Sequence, residues 1–253
     1  MKPLKEHAAW ALYDALVEEI PLHYRVDEVL RRNWTMVRSG DNVGIAMTVR
    51  GKTRPAGMVS FRRGMPLREL AAAVKSWNFA EASLGMAAIN TYWNSAERET
   101  VARALKRGKT EAFNAWRNRV RGKKVAVIGH FSRLEEKLGA ICELSILEKR
   151  PLPGDYPDSA CEFLLPLQDF VFATGVTLTN KTLPRLLELA RGTGIILTGP
   201  SVPLAPLLFD WGIRDLQGFV VTNPALCRKI INGENSGAAI FDAGRQISIA
   251  SSS

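Results

Sequence analysis

The chain has 253 residues, of which 46% are hydrophobic and 23% charged, a balance that excludes a disordered polypeptide. No apolar run approaches the roughly 18 residues a membrane-spanning helix needs, and Glu6, Asp14, Glu18 and Glu19 interrupt the apolar positions of the amino terminus where a signal peptide would be continuous. A protein of the cytoplasm is the expectation, with no membrane contact.

The net charge of +9 is lopsided. Residues 1–122 hold 21 Lys plus Arg against 12 Asp plus Glu, whereas residues 123–253 hold 13 of each. Much of the excess falls in ERETVARALKRGKTEAFNAWRNRVRG, where Arg98, Arg103, Lys106, Arg107, Lys109, Arg117, Arg119 and Arg121 decorate a helical pattern. Such a stretch reads as a solvated basic face or as a patch for an acidic partner or anionic ligand. No recognised aromatic-interleaved basic motif supports nucleic-acid binding through it, which is the least favoured alternative. Three cysteines without a close pair, Cys142, Cys161 and Cys227, form neither a disulfide framework nor a thiolate zinc cage and read as small buried hydrophobes.

In chain order, Ala8, Leu12, Ala15, Leu16 and Ile20 recur near every 3.6 residues and predict an amphipathic helix ended by Pro21. YRVDEVL, WTMVRS and VGIAMTV then predict antiparallel strands, with a tight reversal at Gly40-Asp41. Two helices follow, one starting near Pro66 and one in FAEASLGMAAINTYW, so the first part reads as α+β. Within it, Asn78 and Glu81 stand where a cap and an acid favour a helix start. Asn90 falls among Ala87, Ala88 and Ile89, where its amide needs partners from the core or from a cleft between modules.

From Lys123 the pattern becomes a regular β-α alternation: KVAVIGHF, CELSILEKRP, DFVFATG and TGIILTGPS are buried parallel strands separated by helical segments. GFVVTN supplies further strand material. The boundary is placed near Gly122, giving an α+β domain over 1–122 and a parallel-sheet α/β domain over 123–253.

In open parallel sheets ligands collect beyond the carboxyl ends of the strands. The first such loop, Gly129-His130-Phe131-Ser132, has neither the three glycines of a dinucleotide fingerprint nor a Walker-type phosphate loop. His130 immediately after a strand-end glycine is placed for acid-base work or metal contact. The second loop offers Glu148, at the position of a ribose-binding acid or of a solvated surface acid. The third, Thr174-Gly175-Val176-Thr177-Leu178-Thr179-Asn180-Lys181-Thr182, packs hydroxyls, an amide and a lysine ahead of a helix and reads as an anion-binding loop or an elaborate cap. The fourth, Gly199-Pro200-Ser201, lets a backbone approach a ligand or makes a tight turn. His130, Glu148 and Asp155 are the candidate metal ligands, although their spacing matches no metal motif.

Taken together, SWNFAEASLGMAAIN, VAVIGHF, LEKRP with GDYPDSA, TGVTLTNKTLPRLLELA and TGPSVPLAP resemble the prokaryotic "putative heavy-metal chelation" family over nearly the whole chain. The resemblance implies an amino-terminal domain like that of enolase, a Rossmann-like carboxyl-terminal domain and an active site in the cleft between them. It implies no settled reaction, and enzyme and binding protein both stay open. The scarcity of His and Cys speaks against direct capture of a soft metal. The expected ligand is a small anion or a metal chelate, with a divalent ion as possible cofactor. Lys181, Thr177, Thr179 and Asn180 would hold the anion, His130 and Glu148 would act as acid-base group or ligands, and Asn78, Glu81 and Asn90 would close the cleft. Direct metal sequestration by His130, Glu148 and Asp155 is the alternative, and a homodimer is a reasonable expectation.

Overall fold

The computed structural model describes residues 8–51, 53–108, 111–235 and 237–251. Helix α1 (Ala8–Glu18) places Leu12, Leu16 and, just beyond its end, Ile20 in the core; the part of the predicted helix before Ala8 lies outside the described residues. Strands β1 (Glu28–Arg31), β2 (Trp34–Ser39) and β3 (Asn42–Met47) form an antiparallel sheet in chain order. Ser39 pairs with Asn42, so Gly40-Asp41 is the whole turn, and Gly40 takes the φ of +59° that such a hairpin needs.

Helix α2 (Leu67–Ala71) runs on as a 3-10 turn to Lys75, and α3 (Phe79–Trp93) follows. α3 is buried nearly all round because it lies between β3 on one side and the Ala72–Lys75 turn on the other. Two glycines set both distances. A Cβ on Gly44 would sit 2.1 Å from the backbone nitrogen of Thr91, and one on Gly85 would sit 2.0 Å from that of Val74. The predicted basic region folds as α4 (Glu99–Arg107) and α5 (Ala112–Trp116), with Arg103, Lys106, Arg107, Arg117, Arg119 and Arg121 exposed; Lys109 lies outside the described residues.

The second half is one seven-stranded sheet containing β4 (Lys124–Ile128), β5 (Glu143–Glu148), β6 (Tyr156–Pro157), β7 (Phe170–Thr174), β8 (Ile195–Thr198), β9 (Ile213–Val221) and β10 (Gly244–Ala250). Its order is β10-β9-β8-β7-β4-β5-β6, with every neighbouring pair parallel except β10 against β9. The four parallel strands read from the sequence are all present; β6 and β10 extend the sheet at its two edges. Helices α6 (Cys161–Leu164), α7 (Val176–Thr179), α8 (Leu183–Leu189) and α9 (Pro224–Asn232) complete the chain.

Side-chain alternation along the strands divides the core. Val125, Val127, Phe172 and Ile196 pack with Phe113, Trp116, Leu134 and Leu138 under one face. Ala126, Ile128, Val171, Ala173 and Leu197 belong to a core that continues through α7 and α8 into α1, α2 and α3. The two halves are joined by hydrogen bonds as well. Tyr13 donates its hydroxyl to the Leu178 carbonyl at 3.0 Å, and Asn94 donates to the carbonyls of Val202 and Phe219 while accepting the Leu204 N–H at 2.8 Å. Among the described residues no helix is long and apolar enough to cross a membrane.

Candidate functional site

The chain moves from β4 to β5 and β6 on one side, then returns past β4 to β7, β8 and β9 on the other. The connection therefore reverses between β4 and β7, which opens a crevice at their carboxyl ends. The glycines that follow β4, β7 and β8 each extend the ladder by one bond: Gly129 to Leu147, Gly175 to Thr198 and Gly199 to Gln217. Gly129 and Gly199 have φ of +102° and +108°. Gly175 is required for space, since a Cβ there would stand 2.7 Å from the backbone of Ser201 and Val202.

His130 occupies this crevice. Its Nδ1 lies 3.0 Å from Oδ2 of Asp155, and its Nε2 lies 3.7 Å from Oε1 of Glu135. The Asp155 side chain is 2% exposed and also accepts the Leu152 N–H, so it is fixed, whereas Glu135 is 58% exposed. Ligand atoms of His130, Glu135 and Asp155 all lie within 4.8 Å of one another. Glu148 is adjacent but differently employed: its carboxylate accepts the backbone N–H groups of His130 at 3.1 Å, Lys149 at 2.7 Å and Arg150 at 3.4 Å. Phe131 stands edge-on to Phe113 at 5.3 Å between ring centres and walls the crevice beside Thr174 and Gly199.

A second group forms where α3 begins. Asn78 caps the helix by accepting the Glu81 N–H, and its amide donates to the Arg54 carbonyl. Glu81 accepts the Ser76 hydroxyl at 2.5 Å and the N–H groups of Val59 and Gly57. Burial alone would raise this carboxyl, but those hydrogen bonds outweigh it and hold it below the usual range. A cleft of about 250 Å³ opens here, lined by Arg54, Met58, Lys75, Trp77 and Glu81 among others. Lys181 reaches it from the other half, donating to the carbonyls of Ser76 and Thr179 between the rings of Trp77 and Phe79. Burial pushes its ammonium down to about 8.

The rest of the third loop turns inward. Thr177 donates to the Thr174 carbonyl, Thr179 is fully buried, and Asn180 accepts both the N–H and the hydroxyl of Thr182, a local turn that holds Lys181 at its φ of +65°. Asn90 is buried and donates to the carbonyls of Ile45 and Pro200, while Ser201 accepts the Met47 N–H. The sequence-derived candidates thus fall into three groups: Gly129, His130, Phe131, Glu148, Asp155, Thr174, Gly175 and Gly199 in the crevice; Asn78, Glu81 and Lys181 at the cleft; and Thr177, Thr179, Asn180, Thr182, Asn90, Pro200 and Ser201 in packing between and within the halves. Glu135 was not among them. It lies in SRLEEKLG, an acidic stretch whose pattern signals only a solvated helix, and its place beside His130 comes from the π-helical turn Glu135–Gly139.

The donor set suits a divalent cation of borderline or hard character. Nδ1 faces Asp155, which leaves Nε2, 3.7 Å from the exposed Glu135 carboxylate, as the ring nitrogen that can meet a cation. The thiols offer little to a soft metal: Cys161 and Cys227 are buried in the core and pushed up to about 11 and about 12 by burial, whereas Cys142, against the expectation of a buried residue, is only half-buried, donates to the Leu138 carbonyl and is also pushed up by burial.

This fold and crevice define a mixed α/β protein, with a three-stranded antiparallel sheet and a seven-stranded mostly parallel one, and a candidate cation site at the topological switch of the larger, Rossmann-like sheet. Two family models, both described as "Putative heavy-metal chelation", match residues 111–250 and 13–93, and the chain belongs to that family. An uncharacterised protein of Methanocaldococcus jannaschii is 30% identical over 193 residues, 72% of this chain and 68% of the relative. A crystal structure of a DUF364-family protein of unknown function from Desulfitobacterium hafniense is 42% identical, covers 97% of this chain and 100% of its own, and superposes with a TM-score of 0.87. A second DUF364 structure, from Pyrococcus horikoshii, is 21% identical over 96% of this chain and 99% of its own, with a TM-score of 0.78, and shares the fold.

Proposed function

We propose that this protein binds a divalent cation, held as a chelate with a small anionic ligand, in the cleft between its amino-terminal part, residues 1–122, and its carboxyl-terminal part, residues 123–253, in the cytoplasm. The observation that carries the reading is the convergence of His130, Glu135 and Asp155 at the carboxyl end of β4. Asp155 orients the imidazole, Nε2 and Glu135 meet the cation, and Glu148 anchors the loop by holding the His130 N–H. We further propose that the anionic part of the chelate lies at the cleft lined by Arg54, Lys75 and the exposed Trp77, whose Ser76 carbonyl Lys181 contacts from the carboxyl-terminal part. A ligand that brings its own donors also fits a chain whose thiols are buried at Cys161 and Cys227 and half-buried at Cys142.

A second reading follows from the same His130–Asp155 pair: a buried carboxylate behind an imidazole equips Nε2 to exchange a proton with an organic ligand. Calorimetric titration with Zn(II) alone separates the two. Saturable binding that is lost in both His130→Ala and Glu135→Gln supports the cation reading; equal binding in wild type and both variants overturns it and leaves the acid-base reading.

A further inference from the structure

Glu135 reaches His130 from an unusual piece of backbone. The turn Glu135–Gly139 is π-helical, a rare conformation that occurs mostly as single turns and often at functional sites. Ordinary helical preference therefore does not set the 3.7 Å between Glu135 Oε1 and His130 Nε2.

The turn is held from α5 and the two residues that flank it. On its inner side, Leu134 and Leu138 are fully buried in the same cluster as Phe113 and Trp116. On its outer side, Lys137 pairs its ammonium with the Glu111 carboxylate and lies 5.8 Å from the centre of the Phe113 ring. The two side chains are only 30% and 28% exposed, so water screens this pair less than a surface one. Asn114 donates to the same Glu111 carboxylate, and Arg117 donates to the Lys137 carbonyl at 2.7 Å. Side chain and backbone of one residue are thus both tied to α5. The same helix braces the other half of the site, since Phe113 stands edge-on to Phe131, the neighbour of His130.

We propose that Lys137 is a positioning residue for the cation site: tied to Glu111 and Arg117, it keeps the Glu135 carboxylate at the distance from His130 at which one cation reaches both. This role rests on the cation reading above and adds the source of its geometry. An ammonium cannot ligate a cation, so Lys137 acts through Glu135.

Calorimetric titration of the whole protein with Zn(II), beside a thermal melt of each variant, tests the role. K137M and E111Q are each expected to weaken binding by about tenfold. The double variant K137M/E111Q is expected to be no weaker than either, because both substitutions remove one and the same bridge. K137R keeps the pair and binds as the wild type does. Charge alone predicts opposite signs, since losing the lysine would strengthen cation binding and losing the glutamate would weaken it. All of these positions are partly exposed, and the melt verifies that each variant folds. Zn(II) binding that is lost in His130→Ala but unchanged or strengthened in K137M overturns the positioning role and leaves the cation reading standing, as does a K137R as weak as K137M. A wild type that binds no Zn(II) overturns both.

Discussion

Asp155 Oδ2 lies 3.0 Å from Nδ1 of His130, and the aspartate is almost completely shielded from water while the histidine is not. A buried carboxylate behind an imidazole fixes the ring's tautomer and direction, which leaves Nε2 as the nitrogen that meets a ligand. Asp155→Asn keeps the shape but reverses the hydrogen-bonding preference. It is expected to lower divalent-cation affinity by about 10- to 100-fold with the fold intact; calorimetric titration beside a thermal melt checks both parts.

Lys181 predicts a pH effect on stability. Burial lowers its folded-state pKa from 10.5 to about 8. Below pH 8 both states are protonated and the cost of burying the charge is fully present. Between pH 8 and 10.5 the unfolded chain binds more protons than the folded one, so stability rises with pH. Urea unfolding across that window should show wild type gaining on Lys181→Met. Parallel curves would mean that the ammonium is not desolvated.

The junction of the two halves depends on Asn94. Truncation to Ala leaves the Leu204 N–H and the carbonyls of Val202 and Phe219 without their partner in a buried place. The expected loss is about 3 kcal/mol, read from chemical denaturation; a loss below about 1 kcal/mol would imply that water replaces the amide.

Gly44 is a matter of space alone, since its φ is not positive. Gly44→Ala puts a methyl group against the backbone of Thr91, Ala87 and Asn90. The only relief is to move α3 off β3, at a cost of about 3 kcal/mol, and a drop in Tm measures it.

Much of this architecture is readable from the chain. The period of α1, the Gly-Asp reversal, the small residues of SLGMAAIN and the four apolar runs ending in glycine all carry local physics, and the structure realises each one. β6 is two residues long and β10 alternates weakly, so neither gives a local signal. The crevice is readable to the same degree. Gly129 and His130 follow from strand-end position and residue type; Asp155, which precedes β6, is brought to His130 only by the fold, and Glu135 gives no signal because an acid in a polar helical segment looks solvated until the turn brings it to His130. The loop from Thr174 to Thr182 shows the opposite effect. Its hydroxyls resemble an anion cradle in sequence, yet the short α7 and the left-handed Lys181 turn them toward local carbonyls and the core.

The proposed divalent cation sits on His130. Native mass spectrometry with elemental analysis of the purified protein, repeated on His130→Ala, tests it most directly. A stoichiometric divalent metal is expected in the wild type, accompanied by the mass of a small organic anion, with loss of the metal in the variant. The same metal content in both proteins would contradict it.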